Sequence, residues 1–368
     1  MKETGRPEAL DPPILFRHYP ELERKIAWIP LGIFPTPIQL LNGLGYDNLW
    51  IKRDDLSSRI YGGNKIRKLE FILAEARRRN TAHLITFGRI GTNHGLATAI
   101  FCNRLNIACT LLLSWQPVTR KVQQNLLLFK KYRANIQYQK TLWATVIRYY
   151  LLERLKHPRA YFLYAGGSNP IGTIGFVNAA FELKEHVDRG EIPQPAIIMC
   201  PVGSGGTLGG LSLGVQLAGL NTEVIGIRVS ESHLGPFHAC TPETVVSLMH
   251  KTYRLLKQKS RSIPDISLRA PRILDEYFGD GYGVPTEAGR MASQMLKEKT
   301  DIRLDPTYTA KTVAAVLDHC RTRQRESRPV LYWHTYNSVD LSKQAALVDY
   351  RELPKLLQKF IKQEPVTL

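Results

Sequence analysis

Four short segments of the sequence combine residue types that can carry chemistry. The first, Pro201–Leu211 (PVGSGGTLGGL), places glycines and hydroxyls between an apolar run and the start of a helical pattern. This arrangement predicts an anion site, because glycines let backbone N–H groups converge and a helix N-terminus favours negative charge. Ser204 and Thr207 can add hydroxyl donors. A tight strand-to-helix turn made by the same glycines is the alternative, and the segment fits neither a Walker nor a GxGxxG nucleotide motif.

The second segment, Tyr61–Glu70 (YGGNKIRKLE), places Lys65 after two glycines and an asparagine, just before an amphipathic helix. A lysine at the start of a helix is electrostatically unfavourable. Its presence is explained if Lys65 is a covalent catalyst, because a partly buried or cationic site lowers its pKa and favours imine formation. The alternative is a surface lysine in a turn.

The third segment, Gly88–Ala99 (GRIGTNHGLATA), holds Thr92, Asn93 and His94 between the end of a strand and the start of a helix. Ligands bind at that place in open α/β sheets. Thr92 is also an ordinary helix N-cap and Asn93 an ordinary turn residue, so this loop alone predicts little.

The fourth element has two parts, the sequences YGVPTE and DPTYTAK, which put Tyr282 and Tyr308 on loops that precede helices. A tyrosine in such a place can act as an acid or a nucleophile. Simple packing of Tyr308 is the alternative.

Short apolar runs that alternate with helical patterns predict βα units and parallel sheets, and therefore an α/β fold. After Lys65 we expect a helix, a strand over 83–87, a helix near 95–105, a strand over 109–113, a helix over 118–131, a strand near 135–138 and a helix to about 155. From Tyr161 the alternation restarts with a strand, a helix over 173–187, a strand over 196–200, a helix over 207–217 and a strand over 224–229, which we expect to form a second sheet. The LWIKRDD segment does not belong to the first repeat and is expected to pair with that second sheet. These patterns predict two lobes in a discontinuous arrangement.

Composition agrees with a folded protein of two lobes, since 368 residues with 43% hydrophobic content exceed the usual size of one core. The five cysteines are odd in number and contain no CxxC pair, so we expect buried thiols and no metal site. The first thirty residues contain no continuous apolar segment of a signal peptide, and no later stretch is long enough to span a membrane. We therefore expect a cytoplasmic protein with no membrane partner.

The formal net charge of +18 raises the possibility of a nucleic-acid binder. The basic residues are scattered over amphipathic segments, however, and they form no basic arm and no known nucleic-acid motif. We expect no nucleic-acid partner, and we attribute the charge to a basic surface and a phosphate-binding site.

Taken together, the four elements resemble the fold-type II enzymes of pyridoxal 5′-phosphate, and among them the family of D-cysteine desulfhydrase and 1-aminocyclopropane-1-carboxylate (ACC) deaminase. The segment KRDDLSSRIYGGNKIRKLEF is similar to the family's lysine segment almost throughout, and the resemblance runs in order from about Pro35 to Lys311. It implies a tryptophan synthase β-like fold of two lobes, each a mostly parallel sheet flanked by helices. The larger lobe would comprise 1–66 and 170–368, and the smaller inserted lobe 67–169; a homodimer is also implied.

The resemblance also implies roles for individual residues. Lys65 would hold the cofactor as a Schiff base, and Asn93 would hydrogen-bond the pyridoxal 3′-oxygen. Thr92 stands where the family has a serine that binds the substrate carboxylate and relays a proton, with Asn93 and His94 beside it. Tyr308 matches the family's catalytic tyrosine and Tyr282 a second tyrosine of the active site. The residues that would cradle the phosphate are Gly203, Ser204, Gly205, Gly206 and Thr207.

Thr309, the residue directly after Tyr308, distinguishes two activities within the family. ACC deaminases carry glutamate there, facing the pyridine nitrogen, whereas the desulfhydrase-like members carry threonine. A neutral hydroxyl stabilises the pyridinium less than a carboxylate does. The expected activity is therefore β-elimination from a small amino acid, with D-cysteine giving pyruvate, ammonia and hydrogen sulfide. ACC deamination to 2-oxobutanoate and ammonia is the alternative, as is a cofactor-binding protein with little turnover.

The chain departs from the family pattern at four positions near these motifs. Arg89 and Gly91 replace a small residue and a glutamine, and Tyr336 and Asn337 replace a pair of glycines. We expect an altered substrate pocket, in which Arg89 either binds a second carboxylate on a larger substrate or points to solvent.

Overall fold

Apolar runs and amphipathic segments alternate along the chain and form the strands and helices of two separate sheets. The computed structural model describes residues 11–234, 237–322 and 328–366. The strands are β1 Ile38–Leu40, β2 Leu49–Arg53, β3 His83–Arg89, β4 Ala108–Ser114, β5 Asn135–Gln139, β6 Tyr161–Leu163, β7 Ile197–Val202, β8 Glu223–Arg228, β9 His233–Leu234, β10 Phe237–His238, β11 Arg272–Leu274 and β12 Val330–His334.

Helices flank both sheets, and those that were predicted between Lys65 and Leu217 begin close to the expected positions. They are α1 Ile14–His18, α2 Lys65–Arg78, α3 Asn93–Arg104, α4 Arg120–Lys131, α5 Leu142–Ile147, α6 Glu153–Lys156, α7 Pro170–Asp188, α8 Gly206–Leu217, α9 Pro242–Lys259, α10 Glu287–Lys299, α11 Thr309–Thr322, α12 Ser342–Ala346 and α13 Lys355–Lys362. The predicted α/β class is confirmed.

The larger sheet has six strands in the order β1-β2-β12-β7-β8-β11, and only β1 runs antiparallel to its neighbour. Strand β12 lies in its middle, with Val330 opposite Leu49 on one side and Ile197 on the other. All six residues of β7 are buried, as expected for a parallel strand covered by helices on both faces. The prediction that the LWIKRDD segment pairs with this sheet is confirmed by β2.

The smaller sheet has four parallel strands in the order β5-β4-β3-β6. The prediction that the strand from Tyr161 opens the second sheet is wrong, because β6 pairs with β3, with Tyr161 opposite Leu84. With β6 the chain returns to the edge of the smaller sheet before it enters α7. This sheet lies entirely within 67–169, although the exact lobe boundaries stay a prediction.

The helix predicted to reach about residue 155 is interrupted. Helix α5 is followed by a π-helical turn over Arg148–Leu152 and then by the short α6. The widened turn directs Tyr149 into a small aromatic cluster, where its ring lies 4.7 Å from that of Phe87.

A buried network of four charged side chains joins β2, α2 and α7. Arg67 Nη2 lies 2.7 Å from Asp54 Oδ1, and Arg67 Nη1 lies 2.7 Å from Glu182 Oε2. Lys52 Nζ lies 2.5 Å from Glu182 Oε1, and all four side chains are at most 1% exposed. Because Arg67 follows Lys65 by two residues, this network fixes the first turn of the helix that Lys65 begins.

The five cysteines are free and buried, which confirms that prediction. Among the described residues, no helix combines the length and apolar character needed to cross a membrane. In the same part of the chain, no group of three or more His, Cys, Asp or Glu side chains is placed to hold a metal ion.

Candidate active site

A cavity lies between the two sheets, where the loops that follow β3, β7, β8 and β12 converge on the start of α2. Ligands collect at the carboxyl ends of parallel strands in such folds. Its lining includes eleven of the twelve residues predicted from sequence: Lys65, Thr92, Asn93, His94, Gly203, Ser204, Gly205, Gly206, Thr207, Tyr282 and Tyr308. Thr309 does not line the cavity and is fully buried.

Lys65 is the first residue of α2, and its Nζ donates to Asn64 Oδ1 at 2.9 Å. Asn64 Nδ2 in turn donates to Thr207 Oγ1 at 3.1 Å, so the lysine loop and the glycine-rich turn are in contact. Burial lowers the pKa of Lys65 to about 8, and the charge of Asp305 partly opposes this shift. A substantial fraction of a neutral amine near neutral pH is what imine formation requires.

The glycine-rich turn opens α8 and leaves room at its N-terminus. Gly205 adopts a left-handed φ of 81° just before α8, and the N–H of Gly206 donates to Ser168 Oγ at 3.0 Å. A Cβ at Gly206 would lie 2.5 Å from Ser168 Oγ and 2.8 Å from Lys68 Nζ, so only glycine keeps this space open. The turn therefore leaves open the space in which the predicted anion cradle would hold its ligand, and anion binding there stays a prediction.

Two residues of this cradle were missed from the sequence. Lys68 Nζ donates to Gly166 O at 3.1 Å, and Ser168 Oγ lies 2.7 Å from Ser204 Oγ. Burial first, and then the charge of Lys65, hold the pKa of Lys68 well below its ordinary value. A bound anion would favour the charged form again. The helical spacing from Lys65 to Lys68 places both on one face and was a signal for the second lysine.

The loop after β3 supplies three polar side chains with different surroundings. Thr92 caps α3, since its Oγ1 accepts from Gly95 N at 3.1 Å, and its hydroxyl hydrogen remains available for another acceptor. Asn93 Oδ1 accepts from Tyr61 OH at 3.5 Å. His94 is 4% exposed, and its Nδ1 has no partner among the described residues. Burial holds the pKa of His94 well below its ordinary value, so the ring is neutral.

The two predicted tyrosines form a pair at the other end of the cavity. Tyr282 OH and Tyr308 OH lie 2.5 Å apart, and their rings meet edge to face. Burial raises the pKa of both tyrosines, and the nearby Tyr282 oxygen adds to the effect on Tyr308. Both hydroxyls are therefore protonated in the free site and can donate.

A buried carboxylate beneath this pair was also missed. Asp305 lines the cavity and accepts from Tyr308 N and Thr309 N at 3.0 Å each. The Thr309 hydroxyl donates to Asp305 Oδ1 at 2.7 Å. The sequence places an aspartate at the start of DPTYTAK, but an aspartate before a helix reads first as a cap.

The four departures from the family pattern have definite places. Arg89 does not point to solvent: its side chain is 21% exposed, and its Nη2 lies 2.8 Å from Glu231 Oε1. At Gly91 a Cβ would come within 2.6 Å of Val122, so the chain packs too closely there for a side chain. Tyr336 lines the cavity, and Asn337 Oδ1 accepts from Gly62 N at 2.6 Å. Asn337 thus supports the lysine loop.

Comparisons with known proteins agree with this geometry. A family model described as pyridoxal-phosphate dependent enzyme matches residues 29–335. The D-cysteine desulfhydrase of Serratia proteamaculans (strain 568) is 31% identical over 329 residues, which span 85% of this chain and 96% of that protein.

Two solved structures are similar over most of their length. An ACC deaminase homologue has a TM-score of 0.74 at 26% identity and covers 91% of this chain and 99% of its own. Threonine deaminase isoform 2 from Solanum lycopersicum has a TM-score of 0.59 at 15% identity, covers 93% of this chain and 94% of its own, and shows the fold alone.

Proposed function

The chain belongs to the family of pyridoxal-phosphate dependent enzymes and has their fold-type II architecture, and we propose that it catalyses β-elimination from D-cysteine. The products would be pyruvate, ammonia and hydrogen sulfide. The observation that carries the proposal is that a half-buried lysine, an anion cradle and a tyrosine pair line one cavity in a chain similar to a D-cysteine desulfhydrase.

The residues of the cavity fit the cofactor. Gly206 keeps open a cradle that a Cβ would fill, and the orphaned His94 Nδ1 leaves a polar atom that a ligand can satisfy. Lys65 would hold the cofactor covalently, and Asn93 would hydrogen-bond its 3′-oxygen. The phosphate would lie against the N–H groups and hydroxyls of the turn 203–207, with Lys68 as its cationic partner.

Held by these residues, the cofactor would supply an electron sink for chemistry at the substrate Cα. The neutral amine of Lys65 would take the α-proton. Thr92 would orient the substrate carboxylate through its free hydroxyl hydrogen, with Asn93 and His94 beside it. Tyr308, hydrogen-bonded to Tyr282, would donate a proton to the sulfur as the Cβ–S bond breaks. The released aminoacrylate then hydrolyses to pyruvate and ammonia.

ACC deamination is the second candidate, because the chain is 26% identical to an ACC deaminase homologue of known structure. Thr309 favours elimination, since its hydroxyl is neutral where the deaminases carry a carboxylate. The nearby Asp305 carboxylate accepts the hydrogen of that hydroxyl. We therefore propose that elimination is faster than ring opening.

The purified protein tests these proposals directly. Incubation with D-cysteine should release sulfide and pyruvate in equal amounts, faster than ACC at the same concentration yields 2-oxobutanoate. Faster ring opening would overturn the choice of substrate. Borohydride should fix the cofactor to Lys65, as read by peptide mapping. A label on another lysine, or an unchanged cofactor absorbance in Lys65→Ala, would overturn the assignment of the site; a yellow but inert protein would indicate cofactor binding without turnover.

We further propose that the protein is a cytoplasmic homodimer that binds no nucleic acid, with lobes at 1–66 plus 170–368 and at 67–169. Light scattering of the purified protein measures the mass in solution, and a monomer of 41.7 kDa would exclude the dimer.

A further inference from the structure

An ion pair joins the two sheets beside the tyrosine pair. Arg89 ends β3 in the smaller sheet, and Glu231 follows β8 in the larger one. The Arg89 guanidinium is fixed by Glu231 Oε1 at 2.8 Å and by Trp115 O at 3.2 Å. Its central carbon lies 5.0 Å from the centre of the Tyr282 ring. The cation is thus held against the face of an aromatic ring whose hydroxyl contacts Tyr308.

The two tyrosine hydroxyls are hydrogen-bonded to each other, and either can be the donor. At 2.5 Å, one O–H points along the O···O line and the other oxygen accepts it. Removal of one proton from the pair leaves a phenolate that accepts a charge-assisted hydrogen bond from its neighbour. Such a pair can donate one proton, as the proposed elimination requires of Tyr308, and is reprotonated afterwards.

We propose that Arg89 is a positioning residue for this pair: its guanidinium, held by Glu231 over Tyr282, stabilises the singly deprotonated state of Tyr282 and Tyr308. The inference rests on the proposed function only for its catalytic meaning. The interaction itself needs no substrate.

Some of the charged groups around the tyrosine pair raise the pKa of its hydroxyls, and others lower it. They are Arg89 from β3, Glu231 from the loop after β8, Asp305 from the loop before α11, Lys311 from α11, and Lys65 across the cavity. Burial raises the pKa of both tyrosines, and Asp305 adds to this, whereas Arg89 lowers it for both. Glu231 raises the pKa of Tyr282, so the two partners of the ion pair have opposite effects on the same hydroxyl.

A purely structural bridge between the sheets is the rival explanation. It predicts that loss of either partner has the same consequence, because the bridge is broken in both cases. Tuning of the tyrosines predicts opposite consequences, because one variant removes a positive charge and the other a negative one.

The test is a pH titration of the holoenzyme, without substrate, labelled with 3-fluorotyrosine and followed by 19F NMR. Fluorine lowers the pKa of a phenol and brings the titration into an accessible range. Spectra of Tyr282→Phe and Tyr308→Phe identify the two resonances. The readout separates this inference from the choice of D-cysteine, which can be wrong while the titration behaves as proposed.

Arg89→Met should raise the midpoint of the pair by about one pH unit, and Glu231→Gln should lower it by a smaller amount. Arg89→Lys should restore part of the shift, since the charge is kept but the planar contact is lost. Shifts in the same direction, or no shift in either variant, would overturn the proposal. If Arg89→Met does not fold, the downward shift in Glu231→Gln alone still decides, because a broken bridge gives no reason for it.

Discussion

The two ends of the cavity are built in different ways. The anion cradle rests mainly on one continuous segment, the glycine-rich turn 203–207 at the start of α8, to which α2 adds Lys68. The tyrosine end is assembled across the sheets, where Arg89 and its partner Glu231 are 142 positions apart. In the proposed function, the first end would bind the phosphate of the cofactor, which does not react, and the second would meet the substrate. The difference suggests that cofactor affinity and turnover can be altered separately.

Tyr308→Phe should give the largest difference between the effect on turnover and the effect on cofactor affinity. Removal of the hydroxyl deletes the proposed proton donor, and we expect kcat to fall on the order of 1000-fold, as for loss of a general acid. Cofactor affinity should stay within a few-fold of the parent. Tyr277→Phe is a matched control, because its hydroxyl donates to Asp318 in another part of the fold. A comparable loss of bound cofactor in Tyr308→Phe would mean that the two ends are not independent.

Gly206→Ala should damage the opposite end. The new Cβ would enter the cradle beside Ser168 and Lys68, and loss of hydrogen bonds to a charged phosphate should weaken cofactor binding on the order of 100-fold. In the same helix, a Cβ at Gly209 would come no closer than 3.4 Å to Met249, so Gly209→Ala is the control. Titration of the cofactor into the apoprotein of each variant measures the two cofactor affinities. Equal losses would indicate general damage to α8.

Lys68→Met should have a smaller effect in the same direction. It keeps most of the side-chain volume but removes one charge-assisted hydrogen bond, so cofactor affinity should fall about 10- to 100-fold. Lys311→Met is a sharp control, because Lys311 is a buried lysine near the tyrosine end and its Nζ donates to Phe278 O. If both variants lose cofactor equally, then cofactor affinity depends on buried positive charge in general and not on the position of Lys68 at the cradle.

The smallest expected effect is on stability at acid pH. His334 ends β12 behind the lysine loop, and burial lowers its pKa from the ordinary 6.5 to about 4. The unfolded chain therefore binds this proton first, and the stability contributed by neutral His334 is lost as the pH falls from about 6.5 to about 4. The free energy of unfolding should drop by about 2 kcal/mol between pH 7.5 and 5.

Urea unfolding of the parent and of His334→Asn at both pH values isolates this contribution. The acid loss should be smaller in the variant, because asparagine does not titrate. An identical loss in both proteins would assign the acid sensitivity to other groups, such as the carboxylates of the buried network.

The sequence sufficed for features that depend on neighbouring residues. The strand, turn and helix around Gly206 follow from local pattern, and so does Lys65 at the start of its helix. The sequence did not suffice where a strand or side chain pairs with a residue that is distant along the chain. Strand β6 has the same local pattern whichever sheet it joins, and its pairing with β3 is decided by the path of the whole chain.

Side-chain partners show the same limit. No local pattern indicates that Arg89 reaches Glu231 rather than solvent, or that the Thr309 hydroxyl is held by Asp305. The interruption of the helix after Ile147 likewise arises from tertiary packing, since Tyr149 turns inward against Phe87. The roles of the site residues toward cofactor and substrate stay predictions until the variants are measured.

The buried network beneath Lys65 has a consequence for how this chain can evolve. Removal of one member of a buried ion pair leaves its partner uncompensated, at a cost of about 3–5 kcal/mol. Asp54, Lys52, Arg67 and Glu182 share their contacts, so no single substitution among them leaves the rest satisfied. The four positions should therefore be inherited as one block, unchanged or replaced together, and a library of single substitutions should record each of them as intolerant while missing the combinations that are viable.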